Sequence, residues 1–105
     1  MDDPVVILVT TSSKEEANAI GKKMVEERLA ACVNVIPGMR SVYVWEGKFC
    51  DEGEVLLMMK SRRGLLDRIV SRVKELHSYE VPEVIALPIL GGSEDYLRWV
   101  EESLS

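Results

Sequence analysis

Histidine and cysteine are scarce in this chain of 105 residues, which contains one histidine and two cysteines. Two cysteines cannot form the disulfide framework of a small secreted protein, so reduced thiols are expected. A tightly bound divalent metal usually has three or four protein ligands, and a single histidine supplies only one of them. A metal site in this protein would therefore need donors of other types or from another copy of the chain.

Long hydrophobic runs are also missing. The apolar runs at Val5–Val9 and Val55–Met59 are far shorter than the roughly 18 residues that a membrane span requires. The first residues, Met-Asp-Asp-Pro, are acidic and lack the basic start and apolar core of a signal peptide. We therefore predict no membrane span and a cytoplasmic location; a targeting leader that has already been removed is the alternative left open.

Basic clusters and catalytic motifs are absent as well. The net charge is −5, and the sequence lacks the clustered basic surface of a nucleic-acid-binding protein. It has no G-x-S-x-G motif, no adjacent cysteine–histidine pair and no phosphate-binding loop. Glu80 and Glu83 lie outside any predicted helix with Pro82 between them, so they give no support for a paired-carboxylate mechanism. We expect neither an enzyme nor an organic cofactor.

The remaining composition is that of one globular domain over residues 1–105, with 47% hydrophobic and 30% charged residues. Apolar spacing predicts strands and helices in an order typical of an α+β, ferredoxin-like split βαβ sandwich with a long β-hairpin and a C-terminal helix. The predicted strands are 5–9, 32–36 continuing over 41–45 after a bulge or bend, 55–59 and 84–90. The first predicted helix begins at a capping box of Ser13 and Glu16 and ends at about residues 29–31. The second covers residues 65–76, and the third begins at Ser93.

The two crossover helices of such a fold can cover only one face of the sheet. The strands at Val5–Val9 and Val55–Met59 are nevertheless apolar at every position, so both of their faces are suited to burial. The second face is therefore predicted to be covered by the terminal helix or by another subunit. We expect an oligomer.

His77 lies where the second helical pattern gives way to a buried strand, and it is a candidate metal ligand through its neutral imidazole. Cys32 is a second candidate because a thiolate is a soft ligand for Cu(I). Alternative roles remain open: a helix-end histidine that binds a carbonyl or carboxylate, and a buried cysteine that acts as a small apolar residue. A neighbouring subunit could add carboxylates to such a site.

Several segments in order resemble the CutA divalent-cation-tolerance family. They are Arg28–Asn34, Pro37-Gly38, Tyr43-x-Trp-Glu-Gly-Lys48, Glu54–Lys60, Tyr79–Pro88 and the closing Asp95–Trp99. The resemblance implies a ferredoxin-like subunit in a PII-like homotrimer whose hairpins pair across subunits. It also implies a response to copper and other divalent metals, and possible protein partners. The positions matching ligands proposed in bacterial relatives are Val9, Leu76 and His77, of which only His77 can bind a metal.

The resemblance also supports an inter-subunit cleft in which aromatic residues meet a cation and a carboxylate, a mixture that suits a small anionic ligand. The alternative is a polar network that fixes the register of the trimer. The predicted function is that of a homotrimeric copper-tolerance protein acting by weak metal binding or signalling. A non-enzymatic trimeric interaction module and a PII-like sensor of a small anion are the other interpretations. The cleft residues are Tyr43, Trp45, Lys60, His77, Tyr79 and Glu83.

Overall fold

The computed structural model describes residues 2–105, which form one four-stranded antiparallel sheet and three helices. The elements are β1 (Pro4–Thr11), α1 (Lys14–Glu26), β2 (Cys32–Trp45), β3 (Lys48–Arg62), a 3-10 turn (Arg63–Leu65), α2 (Leu66–Leu76), β4 (Val84–Pro88) and α3 (Glu94–Ser103). The strand order is β2-β3-β1-β4, the order that two split βαβ units produce. The predicted ferredoxin-like α+β fold is confirmed.

The first helix begins at the predicted cap and ends earlier than predicted. The Ser13 hydroxyl accepts a hydrogen bond from the backbone N–H of Glu16 at 3.1 Å. The Glu16 carboxylate accepts the backbone N–H of Ser12, whereas in a capping box it would accept that of Ser13. The helix stops at Glu26 because Arg28 has a φ of 57°, a left-handed conformation that ends a helix. The backbone N–H groups of the next two residues then bond back to the carbonyl of Met24.

The inner face of the sheet forms the hydrophobic core. Alternate residues of β1 and β3 point towards the helices, and Ile7, Leu57 and Met59 are each 0% exposed. α1 approaches the sheet closely at Gly21, where a Cβ atom would lie 3.2 Å from the Val33 side chain. The three helices and the 3-10 turn contribute to this core the residues Ala17, Ile20, Met24, Leu65, Ile69, Val73 and Val100.

The outer face presents the other residues of the same strands. One row across the sheet joins Asn34, Met58, Leu8 and Ile85, and the next joins Cys32, Lys60, Val6 and Leu87. The C-terminal helix does not cover this face at β4, because Ile85 and Leu87 remain 49% and 48% exposed. Val100 of α3 instead joins the inner core.

The β2–β3 hairpin is longer and more regular than the sequence indicated. β3 begins at Lys48 rather than at Val55, because the polar segment 48–54 pairs with the second half of β2. The predicted interruption at Pro37-Gly38 is a bulge between Ile36 and Met39. β1 pairs with β3 only as far as Val55, so residues 39–54 form a two-stranded ribbon that extends beyond the sheet. We call these residues the ribbon.

The opposite edge strand, by contrast, is shorter than expected, since β4 ends at Pro88 rather than at residue 90. None of the helices within residues 2–105 combines the length and the apolar character that a membrane crossing needs.

Candidate functional site

A cavity of about 710 Å³ lies between the ribbon and the segment 79–83 that follows α2. Its volume falls within the range of roughly 300–1,000 Å³ that is typical of small-molecule sites. Three aromatic residues line it: Tyr43, Trp45 and Tyr79. Five glutamates also line it: Glu46, Glu52, Glu54, Glu80 and Glu83.

The strand register explains why these side chains meet. Successive side chains of a strand point to opposite sides, so Glu52 and Glu54 of β3 point to the same side of the ribbon. Glu52 lies opposite Ser41 in β2, and two residues further along Tyr43 lies opposite Cys50. These residues therefore share one side of the ribbon, and the segment after α2 closes the cavity with Tyr79.

Two tyrosine–glutamate pairs form the polar part of the cavity. The Tyr79 hydroxyl donates to Oε2 of Glu54 at 2.8 Å, and the Tyr43 hydroxyl donates to Oε2 of Glu52 at 3.2 Å. Burial and the neighbouring Glu52 raise the pKa of Tyr43 to about 12. Burial and the contact with Glu54 likewise raise the pKa of Tyr79 above its ordinary value. Both hydroxyls are therefore protonated hydrogen-bond donors at neutral pH and not proton acceptors.

Glu54 is the most deeply placed carboxylate of the cavity, with only 7% of its surface exposed. Within residues 2–105 it forms a hydrogen bond to Tyr79 and no salt bridge. A buried carboxylate is normally compensated by a cation or by several hydrogen-bond donors. In one chain, the hydrogen bond from Tyr79 is therefore the contact that holds the Glu54 side chain within residues 2–105.

His77 is buried behind this cavity, and both of its ring nitrogens are already hydrogen-bonded. Nε2 lies 2.7 Å from the carbonyl oxygen of Thr10, and Nδ1 accepts the backbone N–H of Tyr79 at 2.9 Å. A carbonyl oxygen can only accept, so the ring carries its proton on Nε2. The alternative of a helix-end histidine bound to a carbonyl matches this geometry. Metal binding by His77, which stays a prediction, would require the loss of one of these hydrogen bonds.

The turn around His77 is also held by Glu16 of α1. The Glu16 carboxylate accepts the backbone N–H of Ser78 at 2.7 Å and lies 3.9 Å from Nδ1 of His77. Burial raises the pKa of Glu16, but the hydrogen bonds from Ser78 and Ser12 and the nearby His77 together hold it below its ordinary value of 4.5. This carboxylate therefore links the start of α1 to the end of α2.

Cys32, the second predicted metal ligand, lies elsewhere on the sheet. Cys32 pairs with Lys60 of β3. Thr10, whose carbonyl oxygen binds His77, pairs with Leu56, which lies four residues earlier in the same strand. Four residues along a strand correspond to roughly 13 Å, so one chain does not bring Cys32 and His77 together. In the part of the chain that the structure describes, no three His, Cys, Asp or Glu residues converge as metal ligands. The residues of a single chain therefore do not fit a divalent metal.

The predicted cleft residues separate in the structure. Tyr43, Trp45, Tyr79 and Glu83 line the cavity, and His77 supports Tyr79 from behind. Lys60 lies outside the cavity of one chain: it is in the sheet, where its ammonium group contacts the side-chain oxygen of Asn34. The grouping of these residues in a cleft between subunits stays a prediction.

Among residues 2–105, no basic side chain lines the cavity, so the cavity of one chain is acidic. The predicted site for an anion between subunits stays a prediction. Glu46, Glu52 and Glu54 were not predicted as site residues. The alternation of Glu52 and Glu54 along β3 indicates a shared side, but the sequence predicts that this strand starts only at Val55, and Glu46 lies in the turn between β2 and β3.

Comparison with known proteins shows similarity over nearly the whole chain. The sequence model of a family described as "CutA1 divalent ion tolerance protein" matches residues 5–103. The Divalent-cation tolerance protein CutA of Thermus thermophilus is 47% identical over 98 residues, which cover 93% of this chain and 95% of that protein. The chloroplastic Protein CutA of Arabidopsis thaliana is 48% identical, and the match covers 94% of this chain but only 54% of the plant protein. This chain thus spans about half the length of the plant relative.

Solved structures agree with the sequence matches. The crystal structure of CutA1 from Oryza sativa has a TM-score of 0.96 and 46% identity, covering 99% of this chain and 95% of that chain. The structure of the Thermus thermophilus divalent cation tolerance protein has a TM-score of 0.95 and 45% identity, covering 97% of this chain and 99% of that chain. The backbone and the strand order described above are therefore shared with these proteins.

Proposed function

The chain belongs to the CutA1 divalent ion tolerance family, and we propose that it acts as a homotrimeric divalent-cation tolerance protein in the cytoplasm. The observation that carries this proposal is the match of the family model over residues 5–103. The chain also matches the divalent-cation tolerance protein of Thermus thermophilus over 95% of that protein's length. Copper is the proposed ion, and weak binding or signalling is the proposed mode of action.

The exposed outer face of the sheet supports association of several copies. Apolar side chains occupy successive rows of this face, and those of β4 are about half exposed. Closed symmetric assemblies bury such identical surfaces without leaving an open interface. The ribbon supports the same proposal, because a two-stranded ribbon on its own is marginally stable in water.

A metal site between subunits is consistent with the donors that the chain carries. No three such donors converge within residues 2–105, so Cys32 and His77 would act as ligands only with groups from a neighbouring copy. Thiolate and imidazole are ligands that suit copper. Cys32 is half-buried on the outer face, where such a copy would pack.

Native mass spectrometry during titration with Cu(II) tests this proposal, because it gives assembly mass and metal count together. We expect a trimer that retains an integral number of copper ions, and a lower count in the Cys32→Ser and His77→Gln variants. Cys50→Ser is the matched control, since Cys50 is a free thiol on the ribbon. Equal copper uptake by all four proteins, or only a smear of weak adducts, would contradict the metal proposal.

The second candidate is a non-enzymatic interaction module for partner proteins. It is supported by the ribbon tip, where Val44 and Phe49 pair with each other and are 68% and 72% exposed. Exposed apolar residues of this kind often mark protein-binding surfaces. A partner that stays bound in the presence of a chelator, and is lost in a Phe49→Ser variant, would favour this candidate.

A further inference from the structure

We propose that Arg28 acts as a latch for the last segment of the fold, residues 94–105, and that this segment opens as one unit while the sheet stays folded. We call residues 94–105, which contain α3, the strap. This conformational device goes beyond the proposed function, and it depends neither on a metal nor on the association of several copies.

Arg28, which follows α1, and the end of the strap bind each other through hydrogen bonds in both directions. The guanidinium group donates from Nε to the carbonyl oxygen of Ser103 at 3.3 Å. It also donates from Nη2 to the carbonyl oxygens of Glu102 and Leu104 at 3.2 Å and 3.3 Å. In return, the backbone N–H of Ser105 donates to the carbonyl oxygen of Arg28 at 2.9 Å. A single residue at the end of α1 thus binds consecutive residues of the strap.

The strap lacks a positive charge of its own at the place where a helix is stabilised by one. The C-terminal end of a helix carries a partial negative charge, and its last carbonyl oxygens have no hydrogen-bond partners within the helix. The last turn of α3 contains no basic residue, and it includes the acidic Glu101 and Glu102. Arg28 therefore supplies from outside the helix both the positive charge and the donors that this end requires.

The backbone of Arg28 favours the same interpretation. Its φ of 57° is left-handed, a conformation that is uncommon for a residue with a side chain and that glycine usually adopts at the end of a helix. If this residue served only to end α1, glycine would serve better, because it adopts a positive φ without steric cost. The hydrogen bonds of the guanidinium group to the strap explain why an arginine occupies the position.

Few apolar contacts hold the strap, so its opening is separable from the unfolding of the sheet. Among residues 94–105, Val100 and Leu104 are the members of the hydrophobic core, while Tyr96 and Trp99 remain 43% and 48% exposed. A helix of 10 residues is only marginally stable on its own in water. Segments with few buried contacts open at a lower free energy than the strands of a core. The latch is therefore a large part of what keeps the strap in place.

Hydrogen–deuterium exchange of the intact protein, followed by mass spectrometry, tests the proposal. The amides of the strap should exchange about tenfold faster in Arg28→Gly, because the loss of a hydrogen bond to a charged group corresponds to about that factor. The exchange of β1 and β3 should stay unchanged. Glycine retains the left-handed turn, so the end of α1 is preserved in this variant. Arg28→Lys keeps the charge without the planar fork and should give an exchange rate between those of the parent and Arg28→Gly.

Arg98→Ala is the matched control, because Arg98 is an arginine of the strap itself, is 63% exposed in its side chain and pairs with Asp95 of the same helix. This variant loses the same charge, and its strap should exchange like that of the parent. Two results would overturn the proposal. Equal exchange of the strap in Arg28→Gly and Arg98→Ala would show that Arg28 is not a latch. An increase as large in β1 and β3 as in the strap would show that the strap does not open separately.

Discussion

The two faces of the sheet differ in how well one chain covers them. On the inner face, the side chains of Ile7, Leu57 and Met59 are completely buried under the helices. On the outer face, equally apolar residues such as Ile85 and Leu87 remain about half exposed. The inner face explains why a single chain folds. The outer face and the ribbon provide a surface that is suited to association with other copies of the chain.

Truncation on the inner face should destabilise the protein most. Leu57→Ala removes a buried side chain of the core, and such substitutions cost about 2–5 kcal/mol in the free energy of unfolding. The adjacent Leu56→Ala is the matched control, because Leu56 points to the outer face and is only partly buried. Urea unfolding of both variants at one protein concentration measures the difference. If Leu56→Ala proved as costly as Leu57→Ala, the outer face would be as well buried as the core.

The contact between α1 and the turn after α2 should depend on pH. The pKa of Glu16 is held below its ordinary value of 4.5 in the folded protein, since its hydrogen bonds outweigh the effect of burial. The ionised carboxylate therefore stabilises the fold above pH 4.5, and this stabilisation is lost as the pH falls through the lowered pKa. Glu16→Gln should lower the free energy of unfolding by about 1 kcal/mol at pH 7, as expected for a weakened hydrogen bond.

Glu15→Gln is the control for this substitution, because Glu15 lies in the same helical turn but is exposed. Both variants lose one charge near the start of α1, so the effect of the helix dipole is similar in each. Unfolding curves at pH 7 and at pH 3 should show that only Glu16→Gln reduces the difference between the two conditions. The same pH dependence in both variants would contradict a specific role of Glu16.

The ribbon should tolerate the loss of its own ion pair with the smallest effect. Arg40 of β2 forms an ion pair with Asp51 of β3 diagonally across the ribbon, and the Arg40 side chain is 72% exposed. Exposed ion pairs contribute about 0–1 kcal/mol, so Asp51→Asn should leave the midpoint of thermal unfolding nearly unchanged. A large decrease would show that the ribbon is held by this pair rather than by its surroundings.

The fold could be predicted from the sequence because apolar spacing records which residues face the helices. The Ser13 cap and the apolar strands β1 and β4 were recognised from local patterns alone. The start of β3 was not recognised, because Lys48–Glu54 is polar and its strand conformation depends on pairing with β2. Long-range pairing of this kind leaves little trace in the local sequence.

The cavity could be predicted only in part. Tyr43, Trp45, Tyr79 and Glu83 line the cavity of one chain, whereas the sheet register places Lys60 beside Cys32. The cleft between subunits needs a second copy of the chain and stays a prediction. The alternation that places Glu52 and Glu54 in the cavity became visible only once β3 was known to extend to Lys48.

Sedimentation velocity of the protein, with a Leu87→Glu variant beside it, tests most directly whether the outer face joins copies of the chain. Leu87 lies on this face and is 48% exposed, so a charge there should not disturb the core of one chain. We expect a trimer at micromolar concentration, and folded monomers for the variant with unchanged circular dichroism. A monomeric parent protein, or a variant that remains a trimer, would contradict the proposed role of this face.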